Sequence, residues 1–86
     1  MKRYLVLAMR KPGFDAAVVA PHKAFLDVLM AEGRLAMTGG FSDGSGGAYV
    51  LQDVDGIDAA RAIVARDPLV LRDASELTVH EWNLRA

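Results

Sequence analysis

Apolar and polar positions in this chain follow two different periods. Residues 3–9, Arg3-Tyr4-Leu5-Val6-Leu7-Ala8-Met9, form a compact apolar run closed by Pro12-Gly13 and read as a β-strand. Its two sides, Arg3/Leu5/Leu7/Met9 and Tyr4/Val6/Ala8, are both largely apolar, which predicts cover on both faces. The period then lengthens. Val18, His22, Phe25, Leu26 and Leu29 recur three and four residues apart, one stripe of a helix over residues 16–32, while Lys23, Asp27 and Glu32 fall largely outside it. Asp15 is a candidate N-cap and Gly33 a candidate stop. Pro21 interrupts this pattern, because a proline in a helix interior removes a hydrogen bond and clashes with the preceding turn. Either residues 15–20 form a separate turn and Pro21 opens the main helix, or the helix kinks there.

A short strand follows at 34–39, then a loop at 39–47 in which five of nine residues are glycine and Asp43-Gly44 signals a turn. Residues 48–53 are the next strand, so the two make a hairpin with a long tip. Ile57, Ala60, Ile63 and Val64 mark a second amphipathic helix that ends at Asp67-Pro68. The last strand covers about 75–84, with Leu77 and Val79 on one side and Trp82 and Leu84 on the other. Strand, helix, strand, strand, helix, strand is the split βαβ order. The expected fold is therefore α+β, ferredoxin-like βαββαβ: a four-stranded antiparallel sheet with two helices on one face. The first and last strands are apolar on both sides, so the other face needs a partner, and a second copy of the chain is the simplest one.

Length and composition narrow the class. The chain has 86 residues, enough for one domain over 1–86, which at this size buries roughly 60–65% of its surface. At 52% apolar residues, part of the apolar material is expected to meet a partner subunit in a homodimer or a higher even oligomer. With no cysteine, a disulfide framework, a thiolate metal site and a cysteine nucleophile are all excluded. A formal net charge of −1 argues against a general nucleic-acid binder. The apolar run near Met1 is too short for a signal peptide and lacks a cleavage site. No run reaches the length of a membrane span. The expected location is cytoplasmic, with no membrane partner.

Few residues remain to carry chemistry. Of the two histidines, His22 lies in an apolar helix stripe, where an imidazole must be hydrogen-bonded. It is either a satisfied core residue or a general base. His80 alternates with Thr78 and Trp82 and reads as a half-buried strand residue. The two histidines have no ligand spacing, so no metal and no cofactor is expected. Asp67 before Pro68 is a common way to turn the chain. It is also a candidate to accept a hydrogen bond from a histidine nitrogen and fix its tautomer. The glycine-rich segment lacks Gly-Lys-Ser/Thr and no helix follows it, so it is not a phosphate loop. As a loop over a pocket it would point Phe41 and Ser42 inward. No serine sits in an elbow motif.

Taken in order, several segments resemble the YciI-like (YCII-related) family of the dimeric α/β-barrel group. They are Tyr4-Leu5-Val6-Leu7; Pro21-His22-Lys23-Ala24-Phe25-Leu26; Glu32 to Gly40; Ala65-Arg66-Asp67-Pro68-Leu69; and Val79-His80-Glu81-Trp82-Asn83. The resemblance implies a ferredoxin-like protomer whose sheets pair into a dimeric α/β barrel. It also implies a His-Asp dyad in a pocket, with His22 and Asp67 at the matching positions. Two features depart from the family pattern. Val18-Val19-Ala20 stands where relatives often place an arginine, and Gly39-Gly40 where they often have Gly-Pro. A substrate-anion contact from that arginine is therefore not implied here.

Some related proteins are dehydrochlorinases or act on lactones from aromatic breakdown. The resemblance accordingly implies a small cofactor-independent lyase or isomerase. His22 would be the acid or base and Asp67 its orienting partner, with Phe41, Ser42 and Trp82 lining the pocket of a small cyclic or carbonyl-bearing molecule. The alternative is a non-catalytic small-molecule-binding or assembly module in which the dyad is a buried polar support. Accessibility of the pair discriminates between the two.

Overall fold

The computed structural model of the chain describes residues 1–85. Strand β1 (Lys2–Arg10) leads through a 3-10 turn at Ala16–Val18 into helix α1 (Val19–Ala31). Strands β2 (Leu35–Gly40) and β3 (Gly46–Leu51) form the hairpin. Helices α2 (Ile57–Val64) and α3 (Pro68–Leu71) precede β4 (Ser75–Asn83). The sheet order is β2-β3-β1-β4 with every neighbouring pair antiparallel. Each crossover skips one strand, so this is the ferredoxin-like βαββαβ fold read from the sequence.

Pro21 is accommodated in the first of the two expected ways. Asp15 caps the separate 3-10 turn by accepting the Ala17 N–H at 2.9 Å. The helix proper starts two residues before the proline, which places Pro21 third in α1. The first four N–H groups of a helix have no partner within it, so the missing donor breaks nothing. Gly33 ends α1 with φ +75°. Its N–H bonds Met30 O at 3.0 Å and the Arg34 N–H bonds Leu29 O at 2.9 Å, the paired bonds of a Schellman cap.

The expected nine-residue loop is shorter than the glycine count implied. Gly39 and Gly40 belong to β2, and Gly46 and Gly47 to β3, with Gly39 opposite Ala48 and Gly40 opposite Gly47. A side chain at Gly47 would collide with the Gly39 carbonyl oxygen, so close strand approach explains the glycine there. α3 was not foreseen. Asp67-Pro68, read as the end of the second helix, instead begins a new turn after α2 has stopped at Val64.

The core lies between the sheet and the helices. Tyr4 and Val6 of β1, Tyr49 and Leu51 of β3, and Leu35 of β2 meet Leu26 and Leu29 of α1 and Ala60 and Val64 of α2. A smaller cluster of Ala8, Val18, Leu69 and Ala74 continues it towards the β2–β3 hairpin end. The opposite face of the sheet is bare. Leu5 and Leu7 are half-buried there, flanked by Met9, Met37 and Trp82 at 41%, 63% and 44% exposure. His80, expected to be half-buried, is exposed on this face, its Nε2 3.2 Å from the Thr78 hydroxyl. No helix among the described residues is long and apolar enough to cross a membrane.

Candidate functional site

Asp67 is positioned by the α2–α3 junction. Its extended backbone (φ −65°, ψ 130°) makes it the N-cap of α3, and Oδ1 accepts the Leu69 N–H at 2.9 Å. Pro68 at the first helical position fixes that turn. The side chain is fully buried, and a buried carboxylate needs donors to replace water. It has two more. The Tyr49 hydroxyl donates to Oδ2 at 2.9 Å, and Nδ1 of His22 lies 2.9 Å from Oδ1.

His22 reaches Asp67 from the first turns of α1. An ionised carboxylate only accepts, so the shared proton is assigned to Nδ1. Nε2 then has no protein partner among the described residues and is the nitrogen available for chemistry. The imidazole is 18% exposed and packs against the Tyr49 ring at 6.0 Å and 48°. Burial, the adjacent Asp67 charge and the hydrogen bond to it push the Tyr49 phenol far above its usual range, in that order of size. Tyr49 therefore remains a donor to Asp67 throughout the neutral range.

His22 and Tyr49 line a cavity of about 270 Å³ between α1 and the hairpin end of the sheet. Phe14, Leu26 and Leu69 supply apolar wall, the glycines of β2 and β3 leave part of the lining without side chains, and Arg10 and Lys23 add positive charge. Ligand pockets for drug-sized molecules run to about 300–1,000 Å³, so this one suits a single small ring. Among the described residues no group of three or more His, Cys, Asp or Glu side chains is arranged to hold a metal ion.

The structure thus brings together His22 and Asp67, 45 residues apart in sequence, and leaves the other expected site residues elsewhere. Phe41 and Ser42 sit at the exposed hairpin tip and do not line the cavity, because the ladder extends through the glycines and carries the turn past it. Trp82 pairs with Arg3 on the bare side of the sheet, away from the helices and the cavity. Three participants carry no site role in the sequence reading, among them Lys23, which falls outside the apolar stripe of the helix. Tyr49 stands in an apolar strand, where a buried hydroxyl signals a hidden polar partner. Arg10 reads as nothing more than the end of a strand.

Comparisons with known proteins agree with this fold. A family model for the YCII-related domain matches residues 2–83. The chain is 49% identical over 85 residues to the "Uncharacterized protein YjpA" of Bacillus subtilis (strain 168), covering 99% of each chain. Among solved structures it is similar to 5-chloro-2-hydroxyhydroquinone dehydrochlorinase (TftG) of Burkholderia phenoliruptrix AC1100, determined in complex with 2,5-dihydroxybenzoquinone. That match has a TM-score of 0.71 at 15% identity over 94% of this chain and 93% of the other, a likeness of fold. With the family model spanning nearly every described residue and a full-length relative at 49% identity, the chain belongs to the YCII-related family.

Proposed function

We propose that this protein is a small cofactor-independent enzyme of lyase or isomerase type, with His22 as its general base and Asp67 as the residue that orients it. The observation that carries the reading is the 2.9 Å Nδ1–Oδ1 contact that ties His22, in the wall of an open cavity, to Asp67 fully buried behind it, with Nε2 unpartnered among the described residues. A fully enclosed pair would have favoured a structural support. In the reaction, Nε2 takes a proton from a carbon next to a carbonyl. The C–H electron pair moves to the carbonyl oxygen as an enolate, or expels a halide from the adjacent carbon as a double bond forms. The imidazolium that results is stabilised by the Asp67 carboxylate behind it. It returns the proton to the substrate at another carbon, or to solvent. The dehydrochlorinase that shares the fold acts, by its name, on a chlorinated hydroxyhydroquinone, and a single ring of that size suits the cavity.

The test is solvent-deuterium exchange. The protein is incubated in D₂O with α-acidic lactones and chlorinated cyclic acids, and proton NMR follows exchange or chloride loss. Turnover of one compound class above the buffer rate is expected. A flat response across the panel, with folded protein, would favour a non-catalytic binding module.

The working unit in this proposal is a homodimer whose bare sheet faces pack together. Support comes from Leu5, Leu7, Met9, Met37 and Trp82, which present an apolar surface without helices over it. Sedimentation of the native protein is expected to give twice the protomer mass, and Leu5→Asp, at the centre of that face, the protomer mass. A monomeric wild type would remove this part of the proposal.

A further inference from the structure

The cavity beside His22 holds two cations and no acid. Arg10 from the end of β1 and Lys23 from α1 contribute to its lining, and no Asp or Glu does. The ion pairs formed among the described residues use Lys2, Lys11, His22 and Arg61, so neither Arg10 nor Lys23 has an acidic partner among those residues. The whole chain carries a net charge of −1, which makes this positive charge a local feature of the cavity.

Arg10 is also held in place. Its guanidinium carbon lies 4.3 Å from the centroid of the Phe14 ring, which lines the same cavity. Stacking occupies the flat face of a guanidinium and leaves the in-plane N–H groups free to donate. The Arg10 side chain makes no hydrogen bond to the described residues. A guanidinium held over an aromatic ring, without an ion-pair partner among the described residues and lining a largely apolar pocket, matches a carboxylate or ring oxyanion, which two parallel N–H groups bind in bidentate fashion.

We propose that Arg10 and Lys23 form an anion subsite, and that the ligand of this cavity is a small ring bearing one anionic group. Both side chains are exposed; Arg10, held on the Phe14 ring, is the specificity-determining residue, and Lys23, without such a contact, contributes long-range attraction. The ring lies against Phe14, Leu26 and the side-chain-free glycine segments, with its anionic group towards β1. The inference rests on the proposed function only for what His22 then does to the ligand. Positions 18–20 carry no arginine, so the cation comes from a different element of the fold.

Benzoate and benzamide, equal in size and different in charge, are the probes. Native protein labelled with ¹⁵N is titrated with each, and dissociation constants are read from the amide shifts of residues 39–47. Benzoate is expected to bind about tenfold more tightly than benzamide. Arg10→Gln should abolish most of that preference and leave benzamide unchanged. Lys23→Gln should weaken benzoate by about two- to fivefold, in keeping with an exposed charge. Equal binding of the two probes to the wild type, no binding of either, or a full benzoate preference in Arg10→Gln would each overturn the proposal. His22→Gln separates the two readings. A benzoate preference that survives it, without deuterium exchange by the wild type, supports the anion site and removes the enzyme. Exchange without any preference for benzoate does the reverse.

Discussion

Replacing His22 by glutamine is expected to slow carbon-acid exchange by about 10²–10⁴-fold, the range a positioned general base contributes. Glutamine retains a polar group near Asp67 and keeps the helix, so the protein should remain folded and cooperative in thermal melts. The loss should appear in kcat more than in KM, because Nε2 acts on the proton in flight and the rest of the cavity still binds the ring. Circular dichroism and the exchange assay together check the prediction. Unfolding on this substitution would instead assign His22 to the core, where it already contacts the Tyr49 ring.

The second large effect is on stability. Asp67→Ala is expected to lower the unfolding free energy by about 3–5 kcal/mol, as removal of one partner from a buried charged network does. Three groups lose their acceptor together. The Tyr49 hydroxyl and the His22 Nδ1–H are left facing a methyl group, and α3 loses its cap at Leu69 N. Their losses share one carboxylate and do not add independently. Tyr49→Phe removes only one donor and should cost about 1 kcal/mol. Urea denaturation at fixed protein concentration checks both values. A loss below 1 kcal/mol for Asp67→Ala would mean that the network contributes little to the native state.

Much of this arrangement was legible in the chain. A compact apolar run closed by Pro12-Gly13 located β1, apolar residues on both sides marked β4, the three-four spacing through Leu26 and Leu29 gave the buried stripe of α1, and the element order gave the topology. What stayed hidden has physical reasons. α3 is four residues long, too short for a helical period to emerge, and Asp-Pro serves equally as a stop and a start. The glycines at 39, 40, 46 and 47 look like loop residues. They are ladder residues, because the two strands approach where a side chain at Gly47 has no room. Alternation on β4 shows that Trp82 and Val79 point opposite ways but not which of them meets the helices, and in the fold Val79 faces the helices while Trp82 lies with Arg3 on the bare side. The union of His22, Asp67 and Tyr49 spans three elements. Periodicity reports a face, and contacts between faces come only from the folded packing.

One measurement addresses the dyad directly: the ¹⁵N and proton NMR spectrum of the His22 ring, recorded where the ring is neutral, in wild type and in Asp67→Asn. A proton is expected on Nδ1, shifted downfield by its bond to Asp67, with Nε2 unprotonated and responsive to added ligand. In Asp67→Asn that downfield signal should vanish and the tautomer preference weaken. A wild-type ring protonated on Nε2, or a spectrum unchanged by the substitution, would contradict it.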